Sequence, residues 1–264
     1  MQEESLARII MSPGSQIRPE LNSKHFRMYT HNLCPYATRA RYAFALKQVP
    51  FQSVEMDLDK KAQFHLDANG GFVPLLETTT GEHIKESAII AQLAIEMHKG
   101  KGVELIPEDP LEAARMRLMS VKFDGMLSAF YKVLRTRGLD PEANQGLIPL
   151  LQTFNKQLEA ANGNYLFGTP EPTLLDVNFC PFLEIISDWQ HTEFSNIHEE
   201  IDYKTNGSLI DGYVAKMRAR PDIHPERMRT AAFAAQQARA RTFPMETACN
   251  LWSGYFEEVY AAEK

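Results

Sequence analysis

Apolar positions along the chain follow two spacings, and the pattern changes near residue 110. His25 to Tyr29 is a short strand-like run, and Ala37, Ala40, Ala43, Phe44 and Leu46 recur at the three-and-four spacing of a helix face. Val49-Pro50 ends that helix. Phe51, Val54, Met56 and Leu58 make a second, less regular strand running into Asp57 and Asp59. A strand, helix, strand unit of this kind predicts two parallel strands joined by a right-handed crossover. Lys60 to Leu66 is a short amphipathic piece, broken at Asn69-Gly70-Gly71. Phe72 to Glu77 reads as a strand with proline near its start. Proline donates no ladder hydrogen bond, and a cis Val73-Pro74 peptide would place it where the missing N–H is not needed. Thr80-Gly81-Glu82 turns the chain into His83-Ile84-Lys85, and Glu86-Ser87 opens a helix over Ala88 to Met97.

Glycine and proline signals from Lys99 to Pro110 mark a domain boundary, and beyond it the pattern is helical alone. The predicted helices are Leu111 to Arg137, Glu142 to Ala161, Thr173 to Trp189, Ser208 to Arg220, Pro225 to Arg239 and Glu246 to Ala262. The expected organisation is an irregular arm over 1–22, an α/β domain over 23–99, a linker over 100–110, and an all-helical domain with a C-terminal extension over 111–264. Thr173-Leu174-Leu175-Asp176 places a hydroxyl at a helix start and a carboxylate three residues on, a capping box with Asp in place of Glu. That reading of Asp176 outweighs a catalytic one. Cys180, before Pro181, and Cys249 fall in apolar helix faces and read as core residues.

Composition narrows the class. The 264 residues are 44% hydrophobic and 23% charged, as in ordinary globular proteins. A net charge of −6 argues against nucleic acid as a partner, and the C-terminal arginines Arg227, Arg229, Arg239 and Arg241 alternate with alanines as on a solvated helix face. No apolar run is long enough to predict a membrane span. Three widely spaced cysteines do not make a disulfide framework, and no secretory leader pattern is visible, so a reducing, cytoplasmic location is expected. No metal-ligand cluster is expected.

The candidate chemistry is Cys34, followed by Pro35. Proline is favoured at the first helical position, which puts Cys34 at the N-cap. Unpaired amides and the helix dipole there stabilise a thiolate, so its pKa is expected to fall from about 8.5 toward about 3.5 to 7.5. The alternative is an inert, buried thiol. Residue 37 is Ala, so Cys34 has no Cys-x-x-Cys partner, and only a one-thiol cycle is open to it.

Cys34-Pro35-Tyr36-Ala37 with Arg39 and Arg41, then Val73-Pro74, Glu86-Ser87 and the Thr173 to Asp176 cap, resembles the cytosolic glutathione transferase superfamily, and most of all its omega class. The resemblance covers roughly residues 25 to 220. It implies a thioredoxin-like first domain, an all-α second domain and glutathione as co-substrate. By that resemblance Cys34 forms a mixed disulfide with glutathione or lies beside its sulfur. The Val73 backbone, ahead of Pro74, pairs with the cysteinyl part. Glu86 and Ser87 hold the γ-glutamyl end, and Lys61 holds the glycyl carboxylate region, with Lys60 as the alternative. Helix capping and a solvated charge are the bland readings of these groups. The resemblance also implies thiol transfer or dehydroascorbate reduction, an oxidised or electrophilic small substrate, and a homodimer. An acceptor pocket is expected between the domains, lined by Tyr36, Met126, Phe130 and Tyr131, for which a core role stands equally open. A non-catalytic binding or structural protein of the same fold, and a conjugating transferase, are the competing functions.

Overall fold

The structure, a computed structural model, describes residues 6, 8–12, 14–136, 138–191 and 195–223. The two helices expected beyond Pro225, and Cys249 with them, lie outside the described residues. In the first half the chain runs β1 (Ile9–Ile10), β2 (Phe26–Thr30), α1 (Pro35–Leu46), β3 (Phe51–Glu55), α2 (Gln63–Asn69), β4 (Leu75–Glu77), β5 (His83–Ile84) and α3 (Ser87–Met97). The sheet order is β1-β3-β2-β4-β5. β2 and β3 are parallel, with Thr30 opposite Glu55, whereas β4 runs antiparallel to β2 and β5 antiparallel to β4.

The sheet is thioredoxin-like and has one addition. The arm expected to be irregular over 1–22 places Ile9 and Ile10 parallel to Val54 and Glu55 as an edge strand. Two residues are too few to show a strand period, so this pairing had no sequence signature. Side chains alternate across the sheet as the pleat requires. Met28 and Leu76 pack with α1 and α3, while Tyr29, Val54 and Leu75 pack on the opposite face with Met11, Met56 and Ala62. The strand expected over Phe72 to Glu77 is shorter, because residues 72–74 serve as the approach to a cis Val73-Pro74 peptide.

The helical half comprises α4 (Pro110–Asp124), α5 (Leu127–Thr136), α6 (Pro141–Gln145), α7 (Ile148–Ala161), α8 (Leu174–Asp188), a single 3-10 turn (Trp189–His191), α9 (Ser195–Glu200), α10 (Tyr203–Asn206) and α11 (Ile210–Arg218). The helix expected from Leu111 to Arg137 is therefore two, divided at Gly125-Met126, and that expected from Glu142 to Ala161 divides at Gly146-Leu147. α8 is the axis of this half: every residue from Leu175 to Asp188 except Asn178 is buried. Its start is the expected capping box, with the Thr173 N–H donating to Asp176 Oδ2 at 2.7 Å and the Leu175 N–H to Thr173 Oγ1 at 3.3 Å. α1 packs between the sheet and α8, and one apolar core runs from Met28 and Phe44 through to Phe179 and Trp189.

Candidate functional site

Cys34 has extended backbone angles, φ −82° and ψ 116°, and Pro35 is the first residue of α1. The loop behind it is tightly tied. The Cys34 N–H donates to His31 O at 3.0 Å, and the Leu33 N–H to His31 Nδ1 at 3.2 Å, which leaves the proton of this neutral imidazole on Nε2. Burial, with Arg41 adding to it, holds His31 down to about 3. A ring of polar contacts continues inward. The Asn32 N–H donates to Glu55 Oε1 at 2.6 Å, Arg41 donates to Asn32 Oδ1 and to Thr38 Oγ1 at 2.8 Å each, and the Thr38 hydroxyl donates to Cys34 O at 3.1 Å. Arg8 of the arm reaches Glu55 Oε2 at 3.1 Å. Glu55, Asn32 and Thr38 escaped the sequence reading. Only the spacing of Arg41, seven residues or two helical turns beyond Cys34 and so on its face, was a usable signal.

The Cys34 side chain is partly exposed and its thiol donates to Val73 O at 3.8 Å, the carbonyl that precedes the cis bond. Two residues 39 positions apart are thus brought together. The expected fall in the thiol's pKa is corrected. Burial pushes the Cys34 thiol up, and the amides of Ala37 and Tyr36, then the guanidiniums of Arg41 and Arg39, oppose that rise without reversing it. Helix position was readable from Pro35; the desolvation of the thiol was not.

Glu86 sits before α3 at φ 68°, an unfavourable backbone for a residue with a side chain, and its exposed carboxylate makes no capping bond. Ser87 is buried at the first position of α3. Simple helix capping therefore does not account for Glu86, and a non-glycine residue held in this region marks a place where the surrounding fold fixes the backbone. Lys61 lies over the Phe72 ring, its Nζ 5.1 Å from the centroid, beside the Gly71 backbone; Lys60 lies against Gly14 instead. Of the two lysines, Lys61 is on the side of the segment that leads to Val73.

On the helical side, Tyr36 stacks on Tyr131 with centroids 6.1 Å apart and planes within 6°, and meets Phe182 edge-on. Burial pushes the Tyr131 phenol upward, and the nearby Tyr36 and Cys34 push it in the same direction. Phe130 requires correction as a pocket residue. It is fully buried, stacked on Trp189 at 5.7 Å, and belongs to the core. Met126 and Tyr131 are partly buried against that core. Among the described residues no group of three metal-ligating side chains is placed to hold an ion, and no helix is long and apolar enough to cross a membrane.

A family model described as the N-terminal domain of glutathione S-transferases matches residues 33–96. A probable glutathione transferase omega-2 of Caenorhabditis elegans is 28% identical over 161 residues, 60% of this chain and 63% of that protein. Glutathione S-transferase omega-1 of Mus musculus is 26% identical over 161 residues, 60% of this chain and 65% of that one. The matched stretch thus spans just under two thirds of each relative's length. Glutathione transferase Omega 3C of Trametes versicolor shares the fold, with a TM-score of 0.63 at 21% identity over 84% of this chain and 94% of that structure. The fold, a thioredoxin-like half whose N-cap cysteine faces the Val73 carbonyl ahead of a cis proline, joined to a helical half built on one capped axis, is thus that of the glutathione transferases, and over residues 33–96 the chain is similar to their N-terminal domain. Both of these relatives are named as omega-class glutathione transferases.

Proposed function

We propose that the protein is a glutathione-dependent thiol transferase in which Cys34 forms the transient mixed disulfide. The carrying observation is the thiol of Cys34 at 3.8 Å from the carbonyl of Val73, ahead of the cis proline, at the open end of α1. The chain's own groups fit a peptide of glutathione's chemistry. Glu86 offers an uncommitted carboxylate to an ammonium, and the first amides of α3 with the Ser87 hydroxyl can donate to a carboxylate. Val73 offers a backbone edge beside the sulfur, and Lys61 a cation for the second carboxylate. The names of the omega-class relatives support the same reading.

The exchange balances with glutathione as reductant. The Cys34 thiolate attacks the glutathionyl sulfur of a mixed disulfide; the substrate thiolate leaves and takes a proton. A second glutathione thiolate then attacks the glutathionyl sulfur of the Cys34 mixed disulfide, so that oxidised glutathione is released and the Cys34 thiolate leaves, restored. Dehydroascorbate is a further candidate acceptor, entering beside Tyr36, Met126 and Tyr131. Homodimerisation is part of the proposal, supported by the exposed apolar stripe of Leu111, Leu118 and Val121 on α4 together with Ile89 on α3. Intact mass spectrometry after incubation with oxidised glutathione tests the site. One adduct that disappears in Cys34→Ser is the expected result, and an adduct retained in that variant would assign the chemistry to another cysteine. A hydroxyethyl-disulfide assay tests turnover. Wild type and Cys34→Ala equally inactive would leave a binding or structural protein, and higher aryl-halide conjugation in Cys34→Ala would favour the conjugating alternative.

A further inference from the structure

Arg41 is 3% exposed, and both of its hydrogen bonds go to neutral oxygens, on Asn32 and Thr38. Its Nε is buried without a hydrogen-bond partner. A buried cation without a carboxylate partner is a costly arrangement, and its charge acts at short range on whatever lies nearby. Asn32 connects this cation to a carboxylate: it offers Oδ1 to Arg41 and its N–H to Glu55. Left alone, Glu55 would offset the field of Arg41. Arg8 of the N-terminal arm closes on the free oxygen of Glu55 at 3.1 Å. We propose that Arg41 is a positioning residue that supplies the electrostatic support for the Cys34 thiolate, and that Arg8, by pairing with Glu55, keeps that support directed at the sulfur.

The proposal rests on Cys34 being the nucleophile. The charged and titratable groups around the sulfur come from each packed element. Arg41 and Arg39 of α1 act on the sulfur, with the Tyr36 amide beside them and Tyr131 of α5 opposite, while Glu55 of β3 and His31 and Asp57 of the loops belong to the polar ring behind it, around Arg41 and His31. Arg39 is largely spent, with its Nη2 on Asp124 at 3.1 Å and its plane over the Tyr36 and Phe182 rings. The Asp57 carboxylate accepts the backbone N–H groups of Gly14, Asp59 and Lys60. His31 is neutral, and Tyr131 is pushed up by burial and stays a phenol. Arg41 is thus the cation near Cys34 whose charge is least shared. The ring that carries it also fixes the Cys34 carbonyl through Thr38.

The test follows the thiolate of Cys34 in the full-length chain against pH, by ultraviolet thiolate absorbance and iodoacetamide alkylation, with Cys34→Ser as the blank. Arg41→Gln is expected to slow alkylation at neutral pH about tenfold, one pH unit of midpoint. Arg41→Lys, which keeps the charge and loses the planar fork, returns most of that loss. Arg8→Gln moves the midpoint up and Glu55→Gln moves it down, each by about half a unit. A purely structural ring would shift these two variants in the same direction or neither. An unmoved midpoint in Arg41→Gln, or shifts of equal sign in the Arg8 and Glu55 variants, overturns the proposal. Should Arg41→Gln fail to fold, the signs of the other two decide alone. Since the thiol itself is the readout, a wild type without glutathione turnover would remove the functional reading and leave this result standing.

Discussion

Asp176 shows what one side chain holds at this fold's centre. Its carboxylate accepts from the Thr173 and Leu166 N–H groups and from the Tyr213 hydroxyl, with no exposure to water. Asp176→Ala leaves all three donors unpaired and is expected to cost about 3 kcal/mol, read as a lowered denaturation midpoint. A loss below about 1 kcal/mol would show that these bonds contribute no more than an exposed cap. The cap was legible because Thr173 and Asp176 are three apart; Leu166 and Tyr213 were not, because only the folded chain brings them in from ten and 37 positions away. Cys34 divides the same way. Local sequence placed it at a helix start, while its environment depends on distant elements, Val73 on one side and Tyr131 on the other. Phe130 carried no local signal to separate core from pocket, since an aromatic on a helix face suits both.

Between elements, the contact that joins the two halves is also titratable. Tyr42 on α1 donates to Glu184 on α8 at 3.0 Å, and Arg218 on α11 stands 3.5 Å from the same carboxylate. Burial pushes Glu184 from its ordinary 4.5 up to about 7, with Arg218 and Tyr42 opposing the rise. The folded state therefore holds this proton more tightly than the unfolded state. The contribution is complete below pH 4.5 and lost as pH rises through about 7, on the order of 3 kcal/mol in all. Glu184→Gln keeps an acceptor for Tyr42 and cannot ionise, so its Tm relative to wild type should climb between about pH 5 and pH 8. A constant difference over that range would refute the assignment. A second element-level prediction concerns the linker. Gly102 has φ 59°, and a Cβ there would stand 2.1 Å from Leu46 O, the backbone oxygen that accepts the Val103 N–H. Gly102→Ala should cost about 2 kcal/mol or more through strain and clash, measurable by urea denaturation. Periodicity located most helices but merged α4 with α5, because Gly125 breaks a helix without a change in apolar spacing.

For the molecule as a whole, the division into a mixed half and a helical half was legible, whereas the pairing of the arm and the short helices α9 and α10 were not. Helical and strand periods distinguish the two halves, whereas β1 is a ladder of only two residues, flanked by the Met11 N–H on Glu55 O and the Arg8–Glu55 ion pair. Assembly of two copies is testable at this scale. Leu118 and Val121 are 71% and 70% exposed on one face of α4, and placing Glu at both should convert a dimer to a monomer in sedimentation, with little change in the denaturation midpoint. A wild type already monomeric at micromolar concentration would remove the dimer from the functional proposal.

The short strand β1 also bears on solubility. A sheet of this kind has two open ends, and each is closed here by a strand of only two residues, β5 on one side and β1 on the other. Unpaired ladder groups on a longer edge can recruit another chain. Without Ile9 and Ile10, the five-residue strand β3 would become such an edge, with Val54 losing its cover from Ile9. The arm therefore acts as a guard against edge-to-edge association, and a chain that starts after Met11 should retain its helices yet aggregate as its concentration is raised.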